Sequence, residues 1–211
     1  MTIELPITIT LSAGKFLNAI VGASHVASDD SMLPVLCAVA LTVDTQRLRV
    51  ESTNRFQAIR TNLPISNIDA SIESPTVLIS TEDVKAWAAA FKKISKRDLE
   101  RAEVTVTLDM DSARLEVNQR AYEVPTVMGD YPRLAAIFAP KPYQVSDTSE
   151  DGEIAVGLNM GYLNSLYKID KGSWKFVVEN RRIRAFNRAD DDSTPQWEYL
   201  LMGVRLPGAS A

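Results

Sequence analysis

One plan recurs three times along the chain: a short strand, a helix, then a run of three strands. Such a repeat constrains the fold strongly, because one unit of this kind cannot bury its apolar face alone. The first unit spans about residues 3–65. Ile7-Thr8-Ile9-Thr10-Leu11 alternates as a strand does, Ser12 stands at a helix N-cap, and Phe16, Ile20 and Ala23 follow at helical spacing. Strands are then expected at Val39–Val43, Leu48–Ser52 and Gln57–Thr61, each with the alternation of a short strand. The second unit spans about residues 76–134. Val77-Leu78-Ile79 leads to Ser80 and Asp83 as a capping box, and Val84, Trp87, Phe91 and Ile94 form one helical stripe. Its strands are Val104–Leu108, Arg114–Val117 and Ala121–Val124. The third unit, from about Glu153 to Leu206, repeats the order: Ile154–Leu158, Asn159 as cap, Leu163, Leu166 and Tyr167 as the apolar helix face, then Lys175–Val178, Arg182–Phe186 and Tyr199–Val204. Residues 140–152, rich in Pro, Ser, Asp and Glu, read as a linker. Periodicity alone leaves open whether these are three copies of one unit or three unrelated α+β stretches.

Little in the chain supports catalysis. His25 is the only histidine, which removes most acid–base and metal schemes, and its place at the end of the first helix suits a surface residue. The single Cys37 follows an apolar run as a small core residue and excludes an intramolecular disulfide, which suits a reducing, cytoplasmic setting. The first residues, 1–6, have neither the basic region nor the apolar stretch of a signal peptide, and no apolar run is long enough to span a membrane. Ser12-Ala13-Gly14-Lys15 matches the S-x-x-K pattern of acyl enzymes but lacks its partner motifs, so Ser12 reads as a cap. Asp190-Asp191-Asp192 reads as an acidic hairpin loop, not a metal site. Neither a phosphate loop nor a dinucleotide fingerprint is present, and we expect no enzyme activity, metal or cofactor.

Against 27 acidic residues the chain sets 23 basic ones, a net charge of −4. That excludes coating nucleic acid with the whole surface but permits one basic face. On one continuous helix, Lys85, Lys92 and Lys96 fall within about 40° of each other, opposite the Val84–Ile94 stripe. Lys93 and Arg97 flank them, and Lys15, Lys168 and Lys171 lie on the other two helices. Read alone, these are ordinary solvated lysines or a basic face.

Four stretches decide more. Leu33-Pro34-Val35-Leu36, followed by Val39–Val43 and Arg47–Asn54, resembles the opening half of a domain of the bacterial DNA polymerase III beta sliding clamp. Gly129-Asp130-Tyr131-Pro132-Arg133-Leu134 resembles that family's F-P-D-Y-R-R-V segment. Glu153–Leu163 is similar to the E-I-x-F-N-x-x-Y-L opening of its last half-domain, and Tyr199–Leu206 to its C-terminal Y-V-V-M-P-M-R-L. The order is right and nearly the whole chain is covered. The chain departs in carrying three units where the family carries six, Gly203 for Pro, Arg55 for Gly, and a tail over residues 207–211.

The resemblance implies an α+β DNA-clamp fold of three β-α-β-β-β units, with helices on an inner face and antiparallel sheets outside. It implies a full clamp domain over residues 1–139, a linker over 140–152 and a half domain with its tail over 153–211. The inner face would meet double-stranded DNA without sequence preference through Lys15, Lys85, Lys92, Lys93, Lys96, Arg97, Lys168 and Lys171. A groove for the clamp-binding motifs of a DNA polymerase and other partners would involve Leu36, Thr53, Arg55, Ala58, Arg133, Leu134, Leu200, Met202, Gly203, Val204 and Arg205. The third unit lacks a partner within the chain, so two chains are expected to join their third units. Since the family's ring holds twelve units, four chains would close it, with a dimer as the smaller form and a clamp loader as a further partner. The small size fits a phage version. The rival readings are a decoy that binds clamp-binding motifs without encircling DNA, and a DNA-binding accessory without partners.

Overall fold

The structure is a computed structural model that describes residues 6–44, 47–66, 75–91, 94–138, 158–179, 182–187 and 196–203. Strand β1 (Ile7–Ser12) alternates buried and exposed positions and runs straight into helix α1 (Ala13–Ser24). Ser12 Oγ accepts from the Lys15 amide, satisfying a donor that the first helical turn leaves unpaired. A short 3-10 turn (Pro34–Cys37) leads into β2 (Ala38–Asp44), β3 (Arg47–Thr53) and β4 (Gln57–Pro64). Then β5 (Val77–Ser80) enters α2 (Thr81–Phe91) through the expected capping box. Ser80 Oγ accepts from the Asp83 amide at 3.0 Å and donates to the Asp83 carboxylate at 2.6 Å.

The second helix is shorter than its apolar stripe suggests. It ends at Phe91, and Ser95 caps a separate helix α3 (Lys96–Arg101) by accepting from the Asp98 amide at 3.1 Å. Lys85 and Lys96 therefore stand on different helices. The single helical wheel that grouped them with Lys92 is corrected, because a second capping serine restarts the chain direction. The unit then finishes with β6 (Glu103–Leu108), β7 (Ser112–Val117) and β8 (Arg120–Pro125). Its β7–β8 turn places Asn118 and Gln119 at positive φ of 49° and 63°, the conformation of a tight two-residue hairpin. After helix α4 (Ala135–Phe138), the third unit supplies α5 (Met160–Ile169), β9 (Trp174–Glu179), β10 (Arg182–Asn187) and β11 (Trp197–Met202). Residues 140–157, 190–192 and 204–211, which hold the expected linker, most of the third unit's first strand, the acidic loop and the tail, lie outside the described residues.

The strands form two antiparallel sheets, ordered β1-β6-β7-β8 and β5-β2-β3-β4-β11-β10-β9. The order shows how the first two units depend on each other. β1 leaves its own unit to pair with β6, in the register Ile9↔Val106, while β5 pairs with β2, in the register Ile79↔Val39. Neither sheet is complete without a strand from the other unit. Their inward faces meet α1 and α2 in one core, where Phe16 and Trp87 are buried with ring centroids 6.2 Å apart. The third unit extends the longer sheet: β11 pairs with β4, Leu200 opposite Ala58 and Tyr199 opposite Ile59. Its docking is close. Tyr199 donates its hydroxyl to Gln57 Oε1 at 2.6 Å, and a Cβ on Gly22 of α1 would lie 2.5 Å from the Trp197 ring, so only glycine fits there.

Two side chains differ from expectation. Tyr167 is 60% exposed while Leu166 is buried, because adjacent helix positions lie about 100° apart and the core side of α5 carries Tyr162, Leu163, Leu166 and Ile169. Cys37 is not a core residue; it is half-buried, its thiol donating to the Asp30 carbonyl at 3.2 Å in the turn before β2.

Candidate functional site

Two regions gather the expected functional residues. The first lies where the three helices converge. His25 caps the end of α1, Lys85 is exposed on α2, and Lys168 stands in the last turn of α5. The His25 proton affinity is lowered from the usual 6.5, first by partial removal from water and then by Lys168 and Lys85, so charges on the other two helices act on a ring at the end of α1. A cleft of about 780 Å³ opens beside them, lined among others by Val21, His25, Phe56, Lys85, Tyr162 and Ser165, with Asp29 and Asp30 on its wall. Phe56 and Tyr162 stack across it, centroids 6.1 Å apart.

The other expected cations are dispersed. Lys15 sits near the start of α1, about 15 Å of helix from His25, beside a separate cleft with Leu11 and Pro64. Arg97 is exposed on α3, and Lys171 lies 5.4 Å over the Tyr167 ring. Lys96 stands on α3, while Lys92 and Lys93 lie outside the described residues.

His25 offers a direct probe of this region. Its lowered value means that protonation favours the unfolded chain, so its contribution to stability is intact above about pH 6.5 and declines as the pH falls below that. A phosphate beside Lys85 and Lys168 offsets the part of the shift that those two charges cause, while the part due to removal from water stays. An NMR titration of this sole histidine is expected to give a value below 6.5 for the free protein and a higher one with duplex DNA; an unchanged value removes the cleft from the DNA path.

The second region is the outer face of the β4–β11 seam. Ala58, Leu134 and Leu200, three of the expected groove residues, do come together there, but as a closed cluster with Phe138, which is only 1% exposed. The segment from Leu134 to Phe138 is held down from three sides. The Arg60 guanidinium lies 4.3 Å over the Phe138 ring, Arg182 Nη1 donates to the Ile137 carbonyl at 2.8 Å, and Tyr131 packs against the cluster. Glu198 bridges Arg60 and Arg184 beneath it. The expected open apolar groove is thus filled by the chain's own Phe138. Sequence reasoning passed over Phe138, Arg60, Glu198 and Arg184. The opposite charges of Arg60 and Glu198 on facing strands were the available signal.

The remaining groove residues divide. Thr53 pairs with Ala58 across β3–β4 and is buried, as is Leu36 in the turn before β2. Arg133 and Met202 are exposed, Gly203 is half-buried, and Val204 and Arg205 lie outside the described residues. Arg55 takes a φ of 78°, left-handed backbone that favours glycine. Asn54 Oδ1 holds the turn by accepting from the Phe56 and Gln57 amides. The backbone geometry of a glycine position is retained, with an arginine placed on it. Among the described residues no group of His, Cys, Asp or Glu could hold a metal ion, and no helix is long and apolar enough to cross a membrane.

An antiparallel two-sheet block with paired helices, extended by a further half block, defines a clamp fold, and solved structures agree. The chain is similar to DNA polymerase III subunit beta from Pseudomonas aeruginosa, with a TM-score of 0.75 and 15% identity over 98% of this chain and 68% of that one. It is similar to the beta clamp of H. pylori, solved with diflunisal, with a TM-score of 0.72 and 15% identity over 98% and 68%. To the DNA polymerase sliding clamp from Bacillus subtilis the values are 0.70 and 11%, over 98% and 66%. No protein-family model matches the chain, and no curated protein matches it in sequence. At these identities the likeness establishes the bacterial beta-clamp fold.

Proposed function

We propose that the chain is a sliding-clamp subunit: a non-enzymatic protein that encircles duplex DNA and tethers a DNA polymerase or another DNA enzyme. The observation that carries this reading is the convergence of Lys85, Lys168 and His25, one from each unit, on the helix side of a fold shared with solved sliding clamps. Cations aimed at phosphates attract duplex DNA without reading bases, and sliding requires that no base be read. With a net charge of −4, such attraction has to be local. The clamp reading also assigns partner binding to the β4–β11 seam, with polymerase or other partner motifs as occupants and Met202 as its exposed apolar edge. Four copies would supply the twelve units of a closed ring, and two copies half of it.

Retention on nicked circular DNA tests the reading. The wild-type protein is expected to stay on the circle and to leave when the DNA is linearised. Lys85→Glu with Lys168→Glu, both surface changes, is expected to lower retention at low salt by about tenfold or more, with an unchanged melting temperature. Equal retention by the variant, or equal loss from circular and linear DNA, overturns the encircling reading. Binding of clamp-motif peptides without any DNA retention would instead establish the decoy reading.

A further inference from the structure

We propose that Phe138 is an internal stand-in for a partner's aromatic side chain, and that the β4–β11 seam accepts a peptide presenting such a ring at the end of one helical turn. This deepens the partner-binding part of the clamp reading and rests on it. The seat for the ring is built from parts of the chain that need not move. Ala58 and Leu200 stand opposite each other on β4 and β11, and Leu134 closes a third side. The strap that carries Leu134 is fastened upstream. Its Val127 amide donates to the Leu78 carbonyl at 2.8 Å, and Tyr131 packs against both outer clusters, the one with Leu134 and the one with Ala38, Ala40 and Leu78.

Beyond Leu134 the hold is slight. Ala135, Ala136 and Ile137 are exposed, and Phe138 is the one buried side chain of α4. The Ile137 and Phe138 amides both donate to the Leu134 carbonyl, at 3.0 and 3.1 Å. A helix of four residues has no stability of its own, because nucleation fixes several residues for one hydrogen bond. The turn therefore takes its shape from the seat, and the seat imposes the same shape on another chain that brings a ring to it. Lifting α4 also leaves the main core whole. Ile59 and Tyr199 of the same two strands lie in that core, while Phe138 belongs to a separate cluster.

The contacts that α4 makes specify what can replace it. The Arg60 guanidinium lies 4.3 Å over the Phe138 ring, a contact that favours an aromatic ring over an aliphatic side chain of similar bulk. Arg182 Nη1 donates at 2.8 Å to the carbonyl of Ile137, the residue before the ring. That bond is to backbone, so it fixes the direction and register of an incoming chain without asking for a particular side chain. Ile137 itself is 40% exposed, which leaves its position loosely specified. One ring in a pocket and one oriented carbonyl suit a short linear peptide. The partner and α4 take the seat in turn, so a partner gains only by the difference between its own contacts and those of α4.

The test uses the whole protein and the tetrapeptide acetyl-Ala-Ala-Ile-Phe-amide, a copy of α4. Phe138→Asp puts a charge in the apolar seat and drives α4 off it. The folded variant is expected to bind the tetrapeptide about tenfold more tightly than the wild type, because nothing has to be displaced. A copy ending in leucine should bind more weakly. The wild-type protein gives a second measurement that does not depend on the variant folding. Excess tetrapeptide should speed hydrogen exchange at the Ile137 and Phe138 amides and leave the Val127 amide unchanged. Equal affinity of the variant and the wild type, equal affinity for the leucine copy, or unchanged exchange at Ile137 and Phe138 overturns the inference. Tetrapeptide binding that a clamp-motif peptide fails to displace leaves the seat standing and removes the clamp reading of this seam instead.

Discussion

Replacing Glu198 with alanine is expected to cost about 3 kcal/mol of stability, the low end for breaking an ion group buried in a protein. Glu198 bridges Arg60 of β4 and Arg184 of β10, so one carboxylate joins the third unit to the first. The side chains are 17%, 21% and 9% exposed. Without the carboxylate, two guanidinium groups face each other with little water to screen them. The remaining exposure holds the cost to the low end of the range. Urea unfolding should show a lower midpoint with an unchanged slope. Adding Arg60→Met and Arg184→Met to Glu198→Leu should recover most of the loss, since a well-packed apolar trio can match a buried ion group. A loss below about 1 kcal/mol for Glu198→Ala would show that the network does not hold the third unit in place.

Phe138→Ala is expected to act in two directions. Truncating a fully buried phenylalanine costs about 3–5 kcal/mol, through lost apolar contact and the cavity left behind. Here the Arg60 contact over the ring goes too. The cavity opens between Ala58, Leu134 and Leu200, where the clamp reading puts the anchor of a partner peptide. On that reading a partner of the wild-type protein has to displace Phe138 first, and the variant removes that cost. Calorimetry with a clamp-motif peptide is expected to show binding tighter by about tenfold, equivalent to about 1.4 kcal/mol, in a protein that melts lower. Equal or weaker binding by the folded variant would place the partner site away from this cluster.

Much of the fold could be read in the sequence, and the reasons are local. Alternation in Ile7–Leu11 and Val39–Val43 and the caps at Ser12, Ser80 and Asn159 act within a few residues, so they are written where they act. The hydrophobic stripe of α2 was equally plain, but its end was not. Ile94 continues the period, while Ser95 and Asp98 compete for the backbone and start a new helix. The lysines suffered from that error, since a helical wheel holds only within one helix.

The candidate sites depended on the third dimension. That Lys85 and Lys168 both act on His25 follows from three helices meeting across long stretches of chain, which no spacing encodes. That Phe138 fills the seam follows from residues 126–138 crossing back over the sheet, a path set by the packing of Tyr131, Leu134 and Phe138. By itself the sequence determined most of the described strands and the caps at Ser12, Ser80 and Asn159. The tertiary structure alone decided that β1 and β5 are exchanged between units, that β11 extends the sheet at β4, and that, among the described residues, β9 ends that sheet. The physical reason is that strand and helix signals are short-range. Which edges meet depends on burying apolar faces contributed by distant parts of the chain.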